Sequence, residues 1–193
     1  MSDIMISAIL HRSAEVKNKM IPVCAGPAEQ AAQMIAASRR KGGKLMLFEN
    51  GGSAGDSQHL AAEFVATLDH TKPRPSLPAL SLTTDTSFLT AYANDFGFED
   101  VFARQVEALG QPGDVLLGIS TSGNSKNVLA AAKAAKDNQI SVIAFTGETG
   151  GQMADFADLL VAIPSRIIMH IQECHIALGH AITARVETLL SEK

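Results

Sequence analysis

Residues 44–53 read Lys44-Leu45-Met46-Leu47-Phe48, then Glu49, then Asn50-Gly51-Gly52-Ser53. The apolar run is typical of a buried strand, and the turn after it predicts a helix from Ala54. A second copy of the pattern follows in Val115-Leu116-Leu117-Gly118-Ile119, then Ser120-Thr121-Ser122-Gly123-Asn124-Ser125, with a helix expected from Asn127. Such turns present N–H groups and hydroxyls at a positive helix end. The pair predicts a site for a phosphorylated small molecule, although neither turn is a Walker loop or a GxGxxG motif.

The rest of the chain alternates short apolar runs with helical periodicity, which predicts an α/β fold. This fold is a five-stranded parallel sheet covered by helices on both faces, a flavodoxin-like three-layer sandwich. One domain is expected over residues 1–193, with N-terminal helices in 1–41, broken near Pro22 to Pro27, and the sandwich in 42–193. The expected strands are 44–48, 79–83, 115–119, 140–145 and 158–163, and the expected helices lie near 54–68, 86–93, 98–109, 126–137, 149–156 and 166–190. An irregular loop is expected from His70 to Pro78.

Composition excludes several classes of protein. The net charge is −4, Trp is absent and only one Tyr is present, which argues against a nucleic-acid-binding surface. No apolar stretch is long enough to cross a membrane, and the N-terminus does not resemble a signal peptide, so a cytoplasmic location is expected. Cys24 and Cys174 are expected to be two buried thiols rather than a disulfide framework.

Four polar side chains on two predicted helices are candidates for chemistry. His59 and Glu63 are four residues apart and project from one face of the helix after the first turn. Gln172 and His180 share a broad face of the last helix, because they are about 80° apart around its axis. These nitrogen and oxygen donors suit a divalent metal such as zinc, and equally suit proton transfer with Glu63 as base and His180 as acid.

Simpler explanations exist for each of these residues. A His-x-x-x-Glu pair occurs by chance on many solvated helices, and a His in an apolar helix is more often a core residue than a ligand. His11 and His70 are interpreted as having no role in the site, and His175 is left undecided. Asn94 and Asp95, in a polar gap expected between two helices, either end a helix or contact substrate, and substrate contact is favoured slightly.

As a set, these motifs resemble those of the phosphoheptose isomerase family of SIS (sugar isomerase) domains. The similarity runs in order from about Gly42 to the C-terminus. The motifs are Asn50-Gly51-Gly52-Ser53-Ala54 with Gln58-His59 and Glu63, Ala93-Asn94-Asp95-Phe96-Gly97-Phe98, Gly118 to Ser125, and Ile171-Gln172-Glu173-Cys174-His175 to Gly179-His180.

The resemblance implies an aldose–ketose isomerase that converts sedoheptulose 7-phosphate to D-glycero-D-manno-heptose 7-phosphate, an early step in heptose synthesis for lipopolysaccharide. It also implies a homotetramer with one zinc ion expected per subunit, at subunit boundaries. The metal ligands would be His59, Glu63, Gln172 and His180. Phosphate would be held by Ser53, Ser120, Ser122 and Ser125, and the sugar would lie along Asn50, Asp95 and Thr121. The full substrate site expected comprises Asn50, Gly51, Gly52, Ser53, Glu63, Asn94, Asp95, Ser120, Thr121, Ser122, Ser125 and Gln172.

The chain departs from the family pattern at three positions. Glu49 stands where Gly is usual, Thr67 where a basic residue is common, and His170 where Arg is usual. Glu49 would weaken anion binding unless it points away from the turn. These departures leave two alternatives open: an SIS paralogue acting on another phosphosugar, and a non-catalytic tetrameric scaffold that binds the replication initiator.

Overall fold

The computed structural model describes residues 2–192, so Met1 and Lys193, the ends of the predicted domain, lie outside it. Five parallel strands form one sheet in the order β2-β1-β3-β4-β5. The strands are β1 (Leu45–Phe48), β2 (Ala79–Ser81), β3 (Val115–Ser120), β4 (Ser141–Thr146) and β5 (Leu159–Ala162). The helices are α1 (Ser2–Arg40), α2 (Gly51–Val65), α3 (Thr86–Phe96), α4 (Val101–Leu109), α5 (Lys126–Asp137) and α6 (Ile168–Ser191), with a short 3-10 helix at Gly151–Asp155.

The sheet is covered on both faces, which confirms the predicted three-layer sandwich. Alternate strand residues point to opposite sides. Leu45 and Leu47 pack in a core with α1, α2 and α6. Met46 and Phe48 pack in a second core with α4 and α5. Because both sides of the inner strands β1, β3 and β4 are buried, these strands read as nearly continuous apolar runs.

The strand order brings the two Gly/Ser turns side by side. From β1 the chain crosses to β2 at one edge, then returns to β3 on the other side of β1. Phe48 pairs with Gly118, so β1 and β3 end next to each other at their carboxyl ends. Ligands of open parallel sheets bind at such a reversal point.

The predicted break in the first helix is wrong. α1 runs without interruption through Pro22 and Pro27. Each proline removes a helical hydrogen bond, but a stripe including Met20, Cys24 and Ala28 is buried against the sheet and α6. Packing along this stripe stabilises the helix enough to offset the two lost bonds.

Several other helix boundaries differ from the predictions, including the start of α4 at Val101 rather than residue 98. α2 begins at Gly51 rather than Ala54, so the first turn of the helix includes the Gly-Gly-Ser segment. α3 extends from the predicted end at residue 93 to Phe96, and the helix predicted at 149–156 is a single 3-10 segment. Among residues 2–192, no helix combines the length and hydropathy that a membrane crossing requires.

Candidate active site

The first turn is tied to the second by a pair of amides. Asn50 precedes α2 in an extended conformation, and its Nδ2 donates to Asn127 Oδ1 at 2.9 Å. Asn127 Nδ2 donates in return to Asn50 Oδ1 at 2.7 Å. Because Asn127 lies in the first turn of α5, the two amides hold the N-termini of α2 and α5 together. The Asn50 side chain is therefore engaged within the protein, and its predicted sugar contact stays a prediction.

The second turn presents hydroxyl groups at the start of α5. Ser120 is fully buried, and its Oγ lies 3.2 Å from Ser125 Oγ. Ser125 is the N-cap residue, yet its hydroxyl makes no capping bond to α5. Gly123 adopts a φ of +68°, and a Cβ there would lie 2.0 Å from Gly150 O, so only glycine fits. Several hydroxyls next to a helix N-terminus make this turn suitable for an anion.

A cavity of about 270 Å³ opens beside the second turn. Thr121 and Ser122 line it together with Arg166, which pairs with Glu148. Arg166 places a cation next to the predicted phosphate site, although the sequence analysis did not consider it. Its only sequence signal is its position shortly after β5, at the same carboxyl end of the strands as the two turns.

The structure brings together three of the four predicted metal ligands. His59 Nε2 on α2 and His180 Nε2 on α6 are 2.8 Å apart, and their rings are nearly perpendicular. Glu63 Oε1 lies 3.6 Å from His59 Nε2. Gln172 lies near the start of α2, where its Nε2 donates to Ser53 Oγ at 3.3 Å. The helices α2 and α6 thus supply donors from residues more than a hundred positions apart.

The donor types fit a divalent transition metal, while the distances describe a hydrogen-bonded cluster. Two imidazole nitrogens facing each other, with a carboxylate beside them, are the donors that zinc prefers. One imidazole now donates the hydrogen that a metal ion would replace. Within residues 2–192, no three His, Cys, Asp or Glu side chains surround a common point as a formed metal site. His59, Glu63 and His180 could hold a metal after a small separation of the two rings.

Asp56 is a neighbour of this cluster that the sequence analysis missed. Burial raises the pKa of its carboxyl, and the nearby His59 and His180 act in the opposite direction. Asp56 lies three residues before His59, so helical spacing alone could have placed it on the same face. It supplies an acceptor close to both imidazoles.

His175, left undecided from the sequence, lies in the core. Its Nε2 is 3.1 Å from Thr146 O, and its ring packs against Phe145. Burial lowers its pKa to about 4, so the ring is neutral at physiological pH. His175 is thus a structural residue beneath the site.

The side chains of Glu49 and His170, two residues that depart from the family pattern, are both buried. Glu49 is 7% exposed, and burial raises its pKa to about 8. It is therefore mostly uncharged at neutral pH and does not repel an anion. His170 is fully buried, with Nδ1 3.5 Å from Glu173 on its own helix. His170 does not replace Arg as a solvent-facing cation.

Asn94 and Asp95 do not lie in a gap between helices. They occupy the last turn of α3, because that helix continues to Phe96. Both are exposed, and Asn94 Nδ2 donates to Asp95 Oδ1 at 2.7 Å. Their contact with substrate stays a prediction.

Comparisons with known proteins point to one family. The family model described as the SIS domain matches residues 10–147. The phosphoheptose isomerase of Aquifex aeolicus is 48% identical over 188 residues, covering 97% of each chain. That of Roseiflexus sp. is 47% identical over 184 residues, covering 95% of this chain and 92% of the relative.

Two solved structures match nearly the whole fold. The phosphoheptose isomerase of Neisseria gonorrhoeae superposes with a TM-score of 0.92 at 41% identity, covering 97% of this chain and all of the other. A phosphoheptose isomerase of Francisella tularensis gives 0.93 at 34% identity, covering 97% and 99%. The chain belongs to the SIS domain family and, within it, to the phosphoheptose isomerases, which are sugar-phosphate isomerases.

Proposed function

We propose that the protein interconverts sedoheptulose 7-phosphate and D-glycero-D-manno-heptose 7-phosphate. The proposal depends on one observation: the side chains of His59, Glu63 and His180 lie close together beside a hydroxyl-rich turn that suits a phosphate. The high identity to phosphoheptose isomerases over almost the whole chain supports the same substrate. Burial raises the pKa of Glu49 to about 8, so its carboxyl is mostly uncharged at neutral pH and opposes the phosphate little.

The reaction moves hydrogen between C1 and C2 of the sugar. Glu63 removes the proton from C1 of the ketose while His180 donates one to the C2 oxygen, which gives an enediol. His180 then takes a proton from the C1 oxygen, and the protonated Glu63 delivers its proton to C2, which gives the aldose. The phosphate turn holds the far end of the chain, so that C1 and C2 lie near α2 and α6.

A metal would be held by His59, Glu63, Gln172 and His180. When bound, it would polarise the sugar oxygens and stabilise negative charge that develops on them. Gln172 would supply its Oε1, because its Nε2 donates to Ser53 Oγ.

The activity is tested with sedoheptulose 7-phosphate and a coupled assay for the aldose product. Glu63→Gln should lower kcat by roughly 10²- to 10⁴-fold, because the amide cannot accept the proton. His180→Gln should also lose turnover, whereas His70→Gln, on the exposed loop, is the matched control and should not. Wild-type turnover by Glu63→Gln would reject the mechanism, and the absence of any turnover by the wild-type protein would favour a non-catalytic scaffold. Turnover of other ketose phosphates alone would favour an SIS paralogue.

The metal is tested by elemental analysis of gently purified protein. We expect about one zinc per subunit, reduced in His59→Gln and unchanged in His70→Gln. A chelator should lower both activity and the temperature of unfolding, because the ion would bind only the folded protein. A metal content near zero, with neither property affected by chelator, would contradict this part of the proposal.

Assembly and location belong to the same proposal. We expect a homotetramer, supported by apolar side chains that α1 leaves exposed, among them Met5, Ile6 and Leu10. We also expect a cytoplasmic enzyme that acts early in heptose synthesis for lipopolysaccharide. Fractionation of cells that produce the protein tests the location, and recovery in the membrane fraction would contradict it.

A further inference from the structure

The carboxyl end of α2 is capped by an arginine from the loop that follows. α2 ends at Val65, and no basic residue lies in its last turn. Carbonyl groups in the last turn of a helix have no partner further along it. Arg74 supplies the donors: Nη2 donates to Glu63 O at 2.8 Å and Nη1 to Phe64 O at 3.0 Å. The backbone of the proposed base is therefore bound directly by a guanidinium, whose charge also suits a helix C-terminus.

The same guanidinium reaches α6. Arg74 Nε donates to Glu187 Oε1 at 2.7 Å. Glu187 Oε1 also accepts from the backbone N–H of Leu68, just beyond α2, at 3.2 Å. Glu187 lies seven residues after His180, which is close to two helical turns, so both project from one face of α6. The ion pair thus joins the end of α2 to the face of α6 that carries the proposed acid.

These contacts use most of the hydrogen-bond donors of the Arg74 guanidinium. Nη1 also donates to Pro75 O at 3.1 Å, so all three guanidinium nitrogens bind the protein itself. The side chains of Arg74 and Glu187 are only 14% and 19% exposed. Charge-assisted bonds in such a setting are stronger than those of a surface ion pair. Arg74 is therefore committed to joining α2 and α6.

We propose that Arg74 is a positioning residue for the isomerase reaction, a role that rests on the proposed function. By holding the Glu63 carbonyl and Glu187 together, Arg74 fixes the separation of α2 and α6 and so the distance between Glu63 and His180. A shift of about 1 Å in a reacting group can lower a rate by roughly 100-fold. Arg74 acts through Glu63 and does not touch the substrate.

Arg74→Met tests this role, with Arg185→Met as the matched control. Arg185 also forms an ion pair from α6, but its Nε donates at 3.0 Å to Glu29 on α1 and not to α2. Per folded protein, kcat of Arg74→Met should fall roughly 10- to 100-fold with KM changed less than about threefold. Arg185→Met should stay within about twofold of wild type. The kcat of Arg74→Lys should be intermediate, since lysine keeps the positive charge and loses the planar guanidinium that binds several acceptors at once.

A second measurement separates positioning from the identity of the substrate. Amide hydrogen exchange over residues 60–68, without substrate, should rise in Arg74→Met and not in Arg185→Met. Wild-type kcat per folded Arg74→Met, an equal loss in Arg185→Met, or unchanged exchange would each overturn the role. If the wild-type enzyme does not turn over sedoheptulose 7-phosphate, the proposed function fails, and the exchange data alone decide whether Arg74 holds α2 against α6.

Discussion

Glu49 is a buried carboxyl group whose Oε2 has no hydrogen-bond partner. Burial raises its pKa from 4.5 to about 8. The unfolded chain loses this proton near pH 4.5, whereas the folded chain keeps it up to about pH 8. The contribution of this proton to the free energy of unfolding is fully present below about pH 4.5 and is lost as the pH rises to about 8.

Glu49→Gln should therefore become more stable relative to wild type as pH rises from 5 to 8. The glutamine cannot ionise in either state, and each unit of pKa shift corresponds to about 1.4 kcal/mol. Urea unfolding of both proteins at pH 5 and pH 8 measures the effect. Glu107→Gln, at an exposed carboxyl, is the control and should show no such trend. A stability difference between Glu49→Gln and wild type that is constant with pH would contradict the assignment.

Single residues of the site were predictable only where a local spacing carried the signal. His59 and Glu63 follow from their four-residue separation, and Asp56 could have been added by the same rule. Arg74 could not, because it binds backbone carbonyls of α2 and a carboxylate 113 residues away. Every residue type carries the same backbone carbonyl, so a contact with that carbonyl cannot be predicted from the identity of the residue.

Two glycines inside helices should respond differently to replacement by alanine. At Gly26 in α1, a Cβ would meet nothing within 4 Å apart from its chain neighbours. Gly26→Ala should change the free energy of unfolding by less than about 1 kcal/mol, because the gain in helix propensity is opposed by contact of the Cβ with the ring of Pro27. At Gly179 in α6, a Cβ would lie 2.5 Å from Leu60 Cδ1 on α2. Gly179→Ala should destabilise by about 1–3 kcal/mol, since Leu60 is buried and cannot move freely.

Urea unfolding measures both changes, and the activity of the folded fraction adds a second comparison. Gly179→Ala should lower kcat, because it separates α2 from α6, while Gly26→Ala should leave kcat unchanged. Destabilisation by Gly26→Ala as large as that expected for Gly179→Ala, or a neutral Gly179→Ala, would show that the packing of these helices differs from that described.

Elements whose identity depends on local pattern were predicted well, and those decided by distant packing were not. All five strands were placed within two residues of their observed ends, since apolar runs between turns are a local signal. The unbroken α1 contradicts the local signal of Pro22 and Pro27. Its continuity depends on a buried stripe that packs on α6, which lies at the other end of the chain.

For the whole molecule, the expected assembly has four times the 20.3 kDa mass of the chain. Light scattering after size exclusion measures this mass. Leu10→Lys should reduce it, because a charge would be placed in an apolar contact between copies. Leu109→Lys, on an exposed apolar residue at the end of α4, is the control and should remain tetrameric. A monomeric wild-type protein would contradict the expectation.

The division of the site between α2 and α6 has a consequence for how this family can evolve. The match to the SIS domain ends at residue 147, before α6 begins. The sheet and both Gly/Ser turns, with the hydroxyls proposed to hold phosphate, therefore precede the helix that supplies Gln172 and His180. A descendant could change these two residues and keep both its architecture and its affinity for a sugar phosphate. Such a protein would hold its ligand without converting it, so a catalyst could become a receptor through substitutions on one helix.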